Sequence, residues 1–204
     1  MSSRETVLNR VRRITEALPK RSPLPSAEAV AHLSSRLVPV SDDEPTLVEQ
    51  FCRRWKEASG VVLEGVAGLE AFLKEEGVSV GYVDPEALVS LGVESIAGAK
   101  TVYDRSEVDI IQFGITRASF AAAETGTIAL TDGDTSNRLA ALAPWVHVAV
   151  LSRHDIKRSL ADAISAFDDD PSIVFVTGPS KTADIEGILI EGVHGPGKQA
   201  VLLV

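Results

Sequence analysis

Several things are scarce in this chain of 204 residues. There is one cysteine, Cys52. One thiol excludes an internal disulfide, an iron–sulfur cluster held by this chain's own thiolates and a thiolate zinc site. Aromatic residues make up only 5%, so the core must be built from Val, Ile, Leu and Ala. No run of about 18 apolar residues occurs, which leaves no candidate for a membrane-spanning helix. The opening Met-Ser-Ser-Arg-Glu-Thr lacks an apolar stretch of the signal-peptide kind, so the expected location is the cytoplasm. Cations are also short: the net charge is −9. An acidic protein lacks the clustered Lys and Arg that displace counterions from nucleic acid, and none is expected as a partner.

The charge is uneven. Residues 1–60 hold ten Lys/Arg against eight Asp/Glu, and residues 61–204 hold ten against twenty-one, a net of −11. Arg10, Arg12 and Arg13 therefore mark either a solvated helix face or a contact for an acidic partner. With 45% apolar and 24% charged residues, the composition is that of an ordinary globular protein with a substantial core.

Helical spacing of Val7, Leu8, Val11, Ile14 and Leu18 predicts a helix over 4–18, stopped by Pro19. Three prolines make 19–25 a linker, and a short helix is expected over 26–36. A helix over 45–58 begins with Pro45 after acidic residues. Its stripe of Leu47, Val48, Phe51, Cys52 and Trp55 makes Cys52 a packing residue. Strands and helices then alternate. Strands are expected at 61–63, 78–83, 111–115, 127–130, 147–151, 173–177, 188–190 and 200–204. Helices are expected at 69–74, 84–92, 135–142 and 156–167, with 93–110 ambiguous and 116–126 irregular or partly extended. Several strands are unbroken Val/Ile/Leu runs, the mark of a parallel sheet covered on both faces. The expected fold is α/β: a mostly parallel sheet flanked by helices over 59–204, preceded by a helical arm over 1–58.

Chemistry concentrates in polar loops near strand ends, and the carboxyl edge of the parallel sheet is where they are expected to meet. The first loop is Ala123-Glu124-Thr125-Gly126-Thr127. Small neighbours admit a ligand to backbone amides, Thr125 and Thr127 carry hydroxyls, and Glu124 suits a general base or nucleophile. The alternative is that Glu124 pairs with a cation or caps amides. The second loop is Thr177-Gly178-Pro179-Ser180-Lys181-Thr182, followed by Asp184. Its amides, hydroxyls and ammonium suit a phosphate or carboxylate. It is not a Walker A loop, because Ser180 and Phe175 stand where that motif needs glycines. A plain strand-to-helix turn with Thr182 as the cap is the competing reading. Nearby, His194 and Gly195 lie in Gly192-Val193-His194-Gly195-Pro196-Gly197, where a histidine in a tight turn can contact an anion. Arg138 can reach a carboxylate or serve the surface. His32, His147 and His154 show no ligand spacing, so no metal site is expected.

Gly114-Ile115-Thr116-x-Ala118, the 123–127 loop, the run 177–187 and Gly192–Gly197 together resemble the LUD domain of the lactate-utilization protein C family. The resemblance covers roughly 60–204. It implies the α/β fold shared by sugar-phosphate isomerases, CoA transferases and formyltetrahydrofolate cyclo-ligases. It also implies a place in a three-protein system that oxidises L-lactate to pyruvate. There the two partner proteins carry iron–sulfur clusters and this chain carries no cofactor. Glu124-Thr125-Gly126 has the outline of the Glu-x-Gly loop of some CoA transferases, which keeps open an enzyme for a small anionic metabolite or thioester.

Overall fold

A computed structural model describes residues 3–17, 43–131, 138–165, 172–183 and 188–204. The expected linker at 19–25, the short helix at 26–36, the Asp132-Gly133 turn and Asp184 lie outside the described residues.

The N-terminal helix α1 spans Ser3–Ala17. Helix α2, Glu44–Glu57, starts from Asp43, whose carboxylate accepts from the Thr46 amide, with a proline in its first turn. A six-stranded sheet follows. In chain order its strands are β1 (Val61–Glu64), β2 (Gly81–Val83), β3 (Ala99–Lys100), β4 (Phe113–Arg117), β7 (Val146–Leu151) and β12 (Lys198–Leu203). In space the order is β1-β12-β7-β4-β2-β3, and every pairing is parallel. The unbroken apolar runs are therefore explained as expected: β7 is buried at all six positions.

One face is covered by α3 (Gly65–Glu75) and α4 (Pro85–Leu91). Leu69, Phe72, Leu73 and Leu88 pack there on Phe113, Ile115, Val148 and Leu202. Asp84 caps α4 and Gly92 ends it with a positive φ, within the helix expected over 84–92. The other face is covered by α2 and by a second sheet of β5 (Phe120–Ala122), β6 (Thr127–Thr131), β8 (Ile156–Lys157) and β9 (Ile173–Val176), in the order β8-β5-β6-β9. Leu47, Phe51 and Trp55 of α2 join Ile128, Leu130, Ala149 and Val201 in this core. Full burial of each such side chain is worth roughly 1.5–3 kcal/mol. Helix α2, read from the sequence as the end of the arm, is thus built into the α/β body.

Residues 116–126, expected to be irregular or partly extended, contain β5 in a hairpin with β6. One local reading changes. The stripe at 156–167 becomes the short strand β8 followed by helix α6, Leu160–Ser165. Ile156 enters the core from β8, so an apolar strand residue mimics the first residue of a helical period. Helix α5 spans Arg138–Leu142. Strands β10 (Lys181–Ala183) and β11 (Leu189–Glu191) form an antiparallel ribbon. Thr182 therefore lies within a strand and is not the cap of a helix. Among the described residues, no helix is long and apolar enough to cross a membrane.

Candidate functional site

The carboxyl end of α2 organises the site. Its last turn closes with bonds from the amides of Ala58, Ser59 and Gly60 to the carbonyls of Arg54, Lys56 and Trp55, at 3.1, 3.0 and 2.9 Å. Ser59 takes the left-handed conformation, φ 71°, usually left to glycine at a helix end. Gly60 lies against Trp55, where a Cβ would come within 2.3 Å of the indole. The Trp55 Nε1–H donates to Val61 O at 2.9 Å and so joins the helix to β1. A helix end leaves carbonyls without partners and a partial negative charge. The Lys181 ammonium meets that demand. It donates to Ala58 O at 3.3 Å and Ser59 Oγ at 2.8 Å, and it lies 3.4 Å from the Glu191 carboxylate.

Both predicted loops press on this same helix end. The 123–126 turn links β5 to β6, with Gly126 N–H donating to Ala122 O. Gly126 has φ +64°, and a Cβ there would lie 2.5 Å from the Trp55 amide nitrogen. Gly178 has φ +75°, and a Cβ there would lie 2.2 Å from Ala58 O. Glycine is needed at both positions for backbone sign and for space. The loops also touch each other: Thr125, Thr127 and Thr177 form a chain of hydroxyls, Oγ1 to Oγ1, with 2.7 Å at each link.

The turn at 192–197 completes the cluster. Ser180 N–H donates to Pro196 O, and Gly192 N–H donates to Ser180 O, each at 2.9 Å. Gly195 lies against the Ser180 side chain. Pro179 is buried, Thr182 half-buried and His194 exposed. The structure thus brings together Thr125, Gly126, Thr127, Gly178, Pro179, Ser180, Lys181 and Gly195, with His194 on the adjoining turn.

The rim is not the expected one. Residues 58–60 precede β1 and residues 192–197 precede β12, so the cluster sits at the amino end of the parallel sheet. The loop at 177–182 leaves β9 of the second sheet, whose strands run independently of the first, so "after a strand" did not mean "at the carboxyl edge".

Glu124 faces away from the cluster. One carboxylate oxygen accepts from Leu160 N–H at 2.8 Å, and its own amide donates to Arg158 O at 3.1 Å. It thereby satisfies a donor of the first turn of α6. There Ser159 and Asp162 already cap each other, Asp162 N–H to Ser159 Oγ at 3.0 Å and Ser159 N–H to Asp162 Oδ2 at 3.2 Å. Arg138 stands apart as well. It bonds the Ser172 hydroxyl at the end of β9 where Thr131 pairs with Ile173. Five residues of extended chain, about 17 Å at ~3.4 Å each, separate Ser172 from Thr177.

One polar group escaped sequence reasoning. His147, wholly buried in β7, holds Gln199 Oε1 of β12 at Nδ1 (2.7 Å) and Thr116 Oγ1 of β4 at Nε2 (2.9 Å). The Gln199 oxygen only accepts, so Nδ1 carries the proton and Nε2 accepts from the threonine hydroxyl. Burial pushes the imidazole down to about 4, against the raising effect of the Gln199 bond. A polar residue inside the otherwise apolar run Val146–Leu151 was the available signal. Its partners, 31 and 52 residues away, become neighbours only through strand register. Among the described residues no group of three or more His, Cys, Asp or Glu is arranged to hold a metal ion.

The LUD domain model matches residues 52–204, which include the end of α2, both loops and the 192–197 turn. Lactate utilization protein C of Halalkalibacterium halodurans is 30% identical over 145 residues, covering 67% of this chain and 56% of that protein. Lactate utilization protein C of Bacillus subtilis is also 30% identical over 145 residues, covering 67% and 57%. The chain spans little more than half the length of these relatives. A crystal structure of a DUF162 family protein from Deinococcus radiodurans superposes with a TM-score of 0.60 at 19% identity, over 79% of this chain and 98% of that one. The same loops and the same α/β scaffold thus stand together in sequence and in space: the chain belongs to the LUD domain family, among relatives named for lactate utilization.

Proposed function

We propose that this chain is a lactate-utilization subunit of the protein C kind, needed alongside iron–sulfur partner proteins for oxidation of L-lactate to pyruvate, and that it supplies scaffold rather than redox chemistry. The observation that carries this reading is the use made of the two charged loop residues. Glu124 caps α6 and Lys181 caps α2. Both charges are spent on holding secondary structure together, which is the behaviour of a rigid platform. The single cysteine leaves electron-carrying clusters to the partners. Pro179 has no amide hydrogen and the Ser180 amide is held by Pro196 O, so in this loop the Thr182 hydroxyl is the group chemically suited to a small anion.

The test is reconstitution of L-lactate oxidation from the partner proteins with and without this chain. The reading expects oxidation to fall to background without it and to return on its addition. Full-rate oxidation by the partners alone would overturn it. The competing reading, an enzyme for a small anionic metabolite or CoA thioester with Glu124 as its carboxylate, requires turnover by the isolated chain that Glu124→Gln abolishes.

A further inference from the structure

A hollow lies at the amino ends of β2 and β3, where the carboxyl half of α3 meets residues 78–79 and 96–98. Its volume is about 540 Å³ and its lining is mostly apolar. Small-molecule sites have this character and span roughly 300–1,000 Å³. Leu73 and Ile96 form its base. They are 5% and 3% exposed and belong to the core between α3 and the parallel sheet. Half-buried Val78 joins them. The surrounding backbone is fixed. Gly77 ends α3 with a positive φ, its N–H donating to Lys74 O, and Val78 N–H donates to Leu73 O, each at 3.1 Å. Gln112 Oε1 accepts from the Ser79 and Val80 amides at 2.8 and 3.2 Å. Across the hollow, Ala99 N–H donates to Ile96 O at 3.0 Å, and Gly98 takes φ +77° in that turn. A Cβ on Gly98 would lie 2.0 Å from Ser79 O, so the two segments touch. The hollow is built before any ligand arrives.

Its polar groups are few and carry both signs. Glu70 and Lys74 stand one helical turn apart on α3 and both line the hollow. Among the described residues, neither side chain makes an ion pair or a hydrogen bond, with the other or with anything else. Nor does a described group accept from the amides of Ala97 and Gly98. An ammonium and two amides suit a carboxylate. The Glu70 carboxylate suits an ammonium. A simple anion is disfavoured, because it would face Glu70 within a segment of net −11 over residues 61–204. A simple cation would face Lys74. A ligand with both charges on one carbon and an apolar side chain matches each of these groups.

We infer that this hollow binds a free α-amino acid with an apolar side chain, of the size of leucine or phenylalanine. Its carboxylate is held by Lys74 and the Ala97 and Gly98 amides, its ammonium by Glu70, and its side chain lies on Leu73, Val78 and Ile96. The site uses no residue of the loop cluster, so it holds or fails independently of the function proposed above.

Isothermal titration calorimetry of the full chain at pH 7 reads the outcome, with L-leucine, L-methionine and L-phenylalanine as the ligands. At least one is expected to bind saturably, with a dissociation constant below about 1 mM. The analogue lacking the ammonium and the analogue lacking the carboxylate (isocaproate and isopentylamine for leucine) are expected to bind at least about tenfold more weakly. Glu70→Gln and Lys74→Gln, both at exposed positions, are expected to weaken the amino acid by a similar factor. Ala97→Trp fills the hollow from an exposed position and is expected to abolish binding in a variant whose circular dichroism is unchanged. Absence of saturable heat with all three amino acids up to about 10 mM overturns the inference. So does binding that Glu70→Gln, Lys74→Gln and Ala97→Trp leave unchanged, or an uncharged-end analogue that binds as tightly as its parent.

Discussion

Acidification from pH 7 towards pH 5 offers a proton to every histidine of the unfolded chain, but the folded protein refuses it at His147. The ring is wholly buried between β4 and β12, and its two nitrogens face a hydroxyl and an amide oxygen, neither of them a charge. Its folded value near 4, against 6.5 for the free side chain, fixes the sign. Between these values the unfolded state binds one more proton than the folded state, so stability rises with pH and is lost as pH falls through 6.5 towards 4. The slope is about 1.4 kcal/mol per pH unit, which makes about 2 kcal/mol between pH 6.5 and 5 and about 3 kcal/mol over the whole window. Asp43 and Asp104 also destabilise the fold on acidification. Hydrogen bonds to Thr46 and to Ser106 hold their carboxyls below the usual value of 3.8. Their loss begins only below about pH 5, so urea unfolding at pH 7, 6 and 5 isolates the histidine. His147→Leu is expected to be less stable at pH 7, because Thr116 and Gln199 lose buried partners at about 1–3 kcal/mol each, and to show little of this slope. Equal stability at pH 7 and pH 5 in the wild type, or an unchanged slope in His147→Leu, would mean that His147 does not carry the acid sensitivity.

The loop cluster yields further expectations. Gly126→Ala combines a positive φ with a collision against the backbone of α2, and a loss of roughly 1–3 kcal/mol or more is expected in chemical denaturation. Thr127→Val breaks the hydroxyl chain at its centre and is expected to cost about 1–2 kcal/mol by the same assay. Lys181→Met removes the cation from the end of α2. About 31% of its side chain is exposed, so screening limits the expected loss to about 1 kcal/mol, seen as a small drop in Tm.

The parallel sheet was legible because its strands carry the burial signature directly: Val148–Leu151 and Ala200–Leu203 are apolar on both faces, as strands of a sheet covered on both sides are. The start of α2 was legible because a proline after acidic residues is local chemistry. The loops were legible as a set, since small residues, hydroxyls and one lysine mark a place of close approach. Their rim was not, because the second sheet redirects the chain between β9 and β12 and no local pattern records that. Nor was the occupation of Glu124 and Lys181 legible, since their partners, the Leu160 amide and the Ala58 carbonyl, are backbone groups that any residue supplies. The Thr116–His147–Gln199 group was hidden for the related reason that register, not spacing, makes it.

The polar loops bind the end of α2 and the start of α6 to the sheet, and under the proposed function their charges do no chemistry on lactate. The decisive experiment is the rate of L-lactate oxidation reconstituted with the proposed partner proteins and with Glu124→Gln in place of the wild type. The amide of glutamine still accepts from Leu160 N–H, so the account predicts a rate within about twofold of wild type, since a shift of that size is only ~0.4 kcal/mol. A loss of a hundredfold or more in a folded variant, with the partners still bound, would contradict it.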